Sequence, residues 1–246
     1  MTTSEENKSI ARELESKGCI VYSPDHKNGA TWDHLAGYGK IKRTIEDSVL
    51  FTFTHPEVFD QITDNTREVK ESNKPKCILF EGPPGCGKTT CAKIMSQTID
   101  VPLAYLPLEA VLSKYYGESE AKLAQIFELC QEYSDCILFI DEIDSLAASR
   151  DGGIHEATRR VLSTLLRKID SFETRGNVLL ICATNRKEDL DSALVSRIDI
   201  SIKFDLPDNE TRFEILKKYA KQLSELELEQ LSEMTKTFSG RDLFQI

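Results

Sequence analysis

Residues 82–89 read Gly-Pro-Pro-Gly-Cys-Gly-Lys-Thr, a full match to the pattern GxxxxGK(S/T). Glycines at those spacings let backbone N–H groups curl around an anion, and the pattern ends on an ammonium and a hydroxyl. The chemistry is phosphate binding. Gly82, Pro83, Pro84, Gly85, Cys86, Gly87, Lys88, Thr89 and the adjoining Thr90 form the cradle. Lys88 supplies a point charge to the β and γ oxygens of a bound nucleotide, and the Thr89 hydroxyl ligates Mg²⁺. The context that such a loop needs is present: the apolar run CILFE before it and the helical pattern TTCAKIMSQTI after it.

Two more groups belong to the same chemistry. Ile137-Leu138-Phe139-Ile140 runs into Asp141-Glu142-Ile143-Asp144. A buried strand ending in adjacent acids delivers carboxylates to the carboxyl edge of a sheet, where open α/β sheets bind ligands. There Asp141 holds Mg²⁺, mostly through water, and Glu142 orients and polarises an attacking water. A hydrolase needs that second acid; a phosphotransferase does not. Ala183-Thr184-Asn185 ends the next apolar run, and the Asn185 amide can hold the water or the γ-phosphate.

A sheet must carry these groups. Apolar runs at 76–81, 102–107, 136–141, 177–183 and 200–204 are continuous rather than alternating, as when helices cover both faces of a parallel sheet. Amphipathic helices near 88–99, 119–133 and 155–171 lie between them. The βαβα alternation predicts an α/β fold with a doubly wound, parallel, five-stranded sheet. Upstream, 4–17 reads as a charged helix that Ser4 caps and Gly18 ends, followed by a linker of turn formers. A helix over 39–53 places Ile41, Ile45, Val49 and Phe53 on one face, and 63–75 reads as a polar loop. Beyond Leu206-Pro207 the pattern is wholly helical, at 208–222, 225–236 and from 239. The expected organisation is an extension and linker over 1–30, an α/β domain over 31–206 and a helical lid over 207–246.

Composition narrows the partners. The chain has 246 residues and a net charge of −10, so it does not attract nucleic acid or anionic membrane as a whole. Apolar residues make up 40%, enough for a real core. No stretch approaches the roughly 18 apolar residues of a membrane helix. The N-terminus has no apolar segment of the secretory kind. The seven cysteines mostly sit in apolar runs without CxxC spacing or a nearby His, which argues for reduced core thiols and against structural zinc. The expected location is intracellular, in the cytoplasm.

Taken together, the motifs over about 31–246 resemble those of the AAA ATPases. Trp32-Asp33-His34-Leu35-Ala36-Gly37 resembles the family's first motif, whose backbone contacts adenine, which implies His34 and Ala36 at the base. Thr54-His55-Pro56-Glu57-Val58-Phe59 resembles a segment after the first helix. GPPGCGKT is similar to Walker A, ILFIDEID to Walker B and Ala183-Thr184-Asn185 to sensor 1, in a strand that the family places between the two Walker strands. His155-Glu156-Ala157-Thr158-Arg159-Arg160 resembles the second region of homology, most like the katanin and spastin branch. Asp191-Ser192-Ala193-Leu194 through Arg197 resembles the segment ending in the arginine finger, so the resemblance implies that Arg197 acts on a neighbouring subunit. Many members carry a second arginine, where this chain has Ile200; Arg159 or Arg160 would then assist. Phe238-Ser239-Gly240-Arg241-Asp242-Leu243 resembles sensor 2, with Arg241 where most members have a small residue. The lid that the resemblance implies is cut short at Ile246.

Ser113-Lys114-Tyr115-Tyr116-Gly117-Glu118-Ser119-Glu120 matches the loop that in protein-remodelling members projects into the pore of a hexamer. Tyr115 and Tyr116 would grip extended polypeptide by non-directional packing, Gly117 would let the loop bend, and Ser119 can cap the next helix. The resemblance therefore implies an ATP- and Mg²⁺-dependent ring homo-oligomer, a hexamer, acting on a protein or peptide. The alternatives are a nucleic-acid motor or loader, against which the acidic balance argues, and a small-molecule kinase or regulatory nucleotide-binding module.

Overall fold

Five apolar runs form five parallel strands, and a short sixth strand pairs antiparallel at their edge. The structure, a computed structural model, describes residues 4–24, 29–55, 57–58, 75–112, 117–133, 135–146, 152–171 and 178–245. The strands are β1 (Ile20–Tyr22), β2 (Cys77–Glu81), β3 (Leu103–Pro107), β4 (Cys136–Asp141), β5 (Val178–Thr184) and β6 (Ile200–Lys203), in the order β1-β3-β4-β5-β2-β6. The sheet thus has six strands where five were expected. Ile20-Val21-Tyr22 lies within the stretch read as linker and is too short to show periodicity. It pairs with Tyr105, Ala104 and Leu103 and covers what would be an open edge of β3.

The helices are α1 (Ser4–Ser16), α2 (Gly39–Ile45), α3 (Phe51–Thr54), α4 (Lys88–Thr98), α5 (Glu118–Glu132), α6 (Gly152–Ser171), α7 (Ser192–Val195), α8 (Asn209–Tyr219), α9 (Glu225–Met234) and α10 (Gly240–Phe244). A π turn, Glu46–Leu50, joins α2 to α3. An apolar repeat of four residues drifts around an α-helix of 3.6 residues per turn, and the wider π turn takes up the excess. Most of the polar stretch read as a loop, 63–74, lies outside the described residues. Among the described residues, no helix is long and apolar enough to cross a membrane.

Along β2, β3, β4 and β5 successive residues enter opposite cores, as pleating requires, whereas β6 buries one face only. Leu79, Leu138, Ile140 and Leu180 pack with Leu14 of α1, Phe127 of α5 and Leu165 of α6. Ile78, Phe80, Phe139 and Ile181 pack with Ile45 of α2 and Met95 of α4. All seven cysteines are free and buried, and burial pushes the Cys19 thiol up to about 12, so it stays protonated and unreactive at neutral pH.

The helices after β6 have a small core of their own, Ile215, Leu216, Leu228 and Leu243. Arg212, only 5% exposed, ties α8 to α9 and to the preceding turn. Its guanidinium donates to Ser232 O at 2.8 Å, Pro207 O at 2.7 Å and Asn209 Oδ1 at 2.9 Å.

Candidate active site

β5 lies between β2 and β4, so the carboxyl ends of three strands sit side by side. The turns leaving them hold the 82–87 loop, Asn185, and Asp141 with Glu142. Residues 84–87 of the loop, Asn185, Asp141 and Glu142 form one wall of a cleft of about 340 Å³ that also takes in Lys88, Thr89, Thr90, His34, Ala36 and, from the lid, Arg241, whereas the expected Gly82 and Pro83 do not line it. Glu142 and Asn185 also face a second hollow, bordered by Gly82, Pro83, Asp144 and Arg186, so this end of the cleft is reached from two sides.

Lys88 is 8% exposed. Its ammonium donates to Gly82 O at 2.5 Å, Pro83 O at 3.0 Å and Asn185 Oδ1 at 2.8 Å. Burial lowers its pKa, against the pull of Cys86, Asp141 and Asp144. A buried ammonium hydrogen-bonded to neutral oxygens gains more from anionic ones, which is the fit expected for a triphosphate. The loop can lie this close to its surroundings only with glycine at three points, and Gly87, φ 93°, is one of them, since a Cβ there would stand 2.4 Å from Leu35 Cδ1. Gly82 has φ 134°, and a Cβ there would stand 2.0 Å from Phe204 O. Gly85 has φ 77°, and its Cβ would stand 2.6 Å from Ser239 Oγ in the lid. The Arg241 N–H also donates to Gly85 O at 3.1 Å, which joins lid to loop directly.

Asp141 accepts from the Glu142 N–H at Oδ1, 3.0 Å, and from the Tyr105 hydroxyl at Oδ2, 3.0 Å. The hard oxygens of Asp141 and Thr89, both on the cleft, suit Mg²⁺. Glu142 sits in the left-handed region, φ 53°, which costs a non-glycine residue about 1–3 kcal/mol. Asp144, to which the sequence assigned no role, accepts from Thr184 Oγ1 at 2.9 Å and from the Asn185 N–H at 3.3 Å. It holds the tip of β5 and so orients Asn185.

Opposite the 34–36 turn, Ile215, Tyr219 and Phe244 of the lid complete the cleft. The Tyr219 and Phe244 rings meet edge to face with centroids 4.9 Å apart. Aromatics in amphipathic helices look like core residues in a sequence, so this wall went unread. Lys218 donates to Asp33 O and ties lid and turn together.

Two of the described arginines, Arg197 and Arg160, do not line the cleft. Arg197 follows α7, and its guanidinium forks onto Asp170 at 2.6 and 3.0 Å and donates to Ala193 O at 2.8 Å. That fork holds the Asp170 carboxyl below its usual range. Arg160 pairs with Glu120 at 2.8 Å and Glu156 at 2.9 Å, which binds α6 to α5. Tyr115 and Tyr116 lie outside the described residues. Gly117, φ 79°, takes the N-cap position of α5, whereas Ser119 is buried in the first turn, so the expected serine cap is replaced by a glycine that only backbone geometry requires.

A glycine-rich loop at the head of a doubly wound sheet, faced by paired acids and roofed by a helical lid, defines the P-loop nucleotide-binding class. The family described as "ATPase family associated with various cellular activities (AAA)" matches residues 78–206, over half of the chain. The chain belongs to this AAA ATPase family. The Cell division cycle protein 48 homolog of Archaeoglobus fulgidus is 37% identical over 218 residues, covering 87% of this chain and 29% of the relative. The proteasome-activating nucleotidase of Pyrococcus horikoshii is 36% identical over 221 residues, covering 87% of this chain and 53% of the relative. The chain therefore spans about half the length of one relative and under a third of the other. Among solved structures, the FIGL-1 AAA domain in complex with ADP superposes with a TM-score of 0.77 at 26% identity, over all of this chain and 78% of that one.

Proposed function

We propose that this chain hydrolyses ATP as a subunit of a ring, a hexamer, and couples the cycle to the remodelling of protein substrates. One observation carries the reading: a single cleft gathers Lys88, Thr89, Asp141, Glu142 and Asn185 from three adjacent strand ends and Arg241 from the lid. Lys88 and the loop amides bind the phosphates, and His34 and Ala36 lie at the base. Glu142 takes the proton of the attacking water, which Asn185 holds in line. Thr89 and Asp141 would hold magnesium, which, when bound, neutralises charge on the phosphates. Arg241 brings the lid to the nucleotide, and Arg197 completes the site of the next subunit. On this reading 31–206 is the working domain, 207–246 its lid, and 1–30 an extension that lends the sheet a strand. The motif at 155–160 favours the katanin and spastin branch, whereas Ser239-Gly240-Arg241 is the variant of sensor 2 that a minority of members carry.

Lys88→Ala is expected to lower ATP affinity by about a hundredfold or more, because it deletes the cationic side chain that the cradle encloses. Calorimetry reads this directly, and an unchanged affinity would place the phosphates elsewhere.

The remodelling half rests on the loop aromatics and on two relatives, one named as activating a proteasome. Unfolded peptide should stimulate the ATPase and single-stranded DNA should not, consistent with a chain of net charge −10. Tyr115→Ala should keep basal turnover and lose the peptide stimulation. Stimulation by DNA instead of peptide would favour the nucleic-acid motor.

A further inference from the structure

Tyr105 lies on β3, one strand outside the acids of β4, and has no part in the mechanism above. Its ring stacks on Phe139, with centroids 5.7 Å apart and planes 15° apart. β3 pairs with β4 in the register Tyr105 to Phe139 and Pro107 to Asp141. Asp141 therefore stands two residues past Phe139 on the same face of the sheet, about 7 Å along the strand. A tyrosine lying flat along that face is long enough to bring its hydroxyl to the carboxylate, and it does so at 3.0 Å from Oδ2.

We infer that Tyr105 is a positioning residue for the metal-directing carboxylate of Asp141. The inference rests on the reading of Asp141 as the acid that holds magnesium. The terminal torsion of an aspartate is broad, so one hydrogen bond does not fix the plane of its carboxylate. Here the Glu142 N–H takes Oδ1 and the Tyr105 hydroxyl takes Oδ2, and a donor on each oxygen sets the plane. The donor is also neutral. A lysine at this place would cancel the charge that a cation needs, whereas a phenol orients the carboxylate and leaves its charge intact. Serine or asparagine would be too short to span from the position opposite Phe139.

The test compares the affinity of a non-hydrolysable ATP analogue with Mg²⁺ and with EDTA; the ratio of the two is the metal's share of binding. Tyr105→Phe keeps the stacked ring and removes only the hydroxyl. It should leave the affinity in EDTA unchanged and cut the metal's share by about tenfold, the usual effect of losing a group that orients a metal ligand. Calorimetry reads the folded fraction, so any loss of fold lowers the stoichiometry and not this ratio. A Tyr105→Phe ratio equal to the parent's, beside an Asp141→Asn ratio that collapses, would overturn the role of Tyr105 alone. If Asp141→Asn keeps the parent's ratio as well, the reading of Asp141 has failed and this inference goes with it. In the Asp141→Asn background, Tyr105→Phe should have no further effect on the ratio.

Discussion

Glu142→Gln is expected to bind ATP and Mg²⁺ as the parent does and to hydrolyse about 10²–10⁴-fold more slowly. The amide keeps the size and shape of the acid, so the left-handed turn at φ 53° and the Asp141 Oδ1 contact to the backbone N–H of residue 142 should survive. The oxygen that would take the proton of the attacking water is lost. Binding and chemistry therefore separate, and the loss should fall on kcat rather than on KM. The position fits that role: Glu142 borders both the nucleotide cleft and the hollow that meets it at the Asn185 end. Single-turnover hydrolysis measured beside calorimetry decides the matter. Turnover near the parent's rate would assign the water to another group. A matched loss of affinity would mean that Glu142 serves binding and not proton transfer.

The parts of this site written in contiguous motifs were legible. GPPGCGKT, ILFIDEID and Ala183-Thr184-Asn185 each sit on a strand end, and buried parallel strands announce themselves by unbroken apolar runs. What could not be read depends on register and on groups far apart in sequence. β1 has only three residues, and its pairing with β3 spans more than 80 positions. Tyr105 meets Asp141 only because β3 and β4 align Pro107 with Asp141. Arg212 stands in the helical stretch at 208–222 with nothing in the sequence to single it out, yet it is buried against three acceptors that only the folded lid assembles. The aromatic wall of Tyr219 and Phe244 needs two lid helices in place before it exists. Asp144 was in view within a motif, but its hold on Asn185 depends on two adjacent strands.

Arg197→Ala is expected to leave ATP binding nearly intact and to remove most turnover, by roughly 10³–10⁵ for a lost finger. The arginine lies outside the cleft of its own chain, so it cannot be a local ligand in the geometry seen here. It is held instead by a two-pronged contact to Asp170 and by Ala193 O. That hold is an exposed, solvent-screened ion pair, which a more strongly charged partner can outbid. The γ-phosphate of a neighbouring subunit is such a partner, because charge spreads over its oxygens as the bond breaks. With Ile200 where many members carry a second arginine, Arg197 is the main finger and Arg159 or Arg160 only assists, so the expected loss is large. Specific activity should accordingly rise with protein concentration until rings form. Arg197→Ala mixed with Lys88→Ala should recover part of the activity that each lacks. In one kind of ordered pair, an intact cradle from the first chain meets an intact arginine from the second. Activity that is independent of concentration in a verified monomer, and indifferent to Arg197→Ala, would place the completing charge within the chain, with Arg241 of the lid as the group to test next.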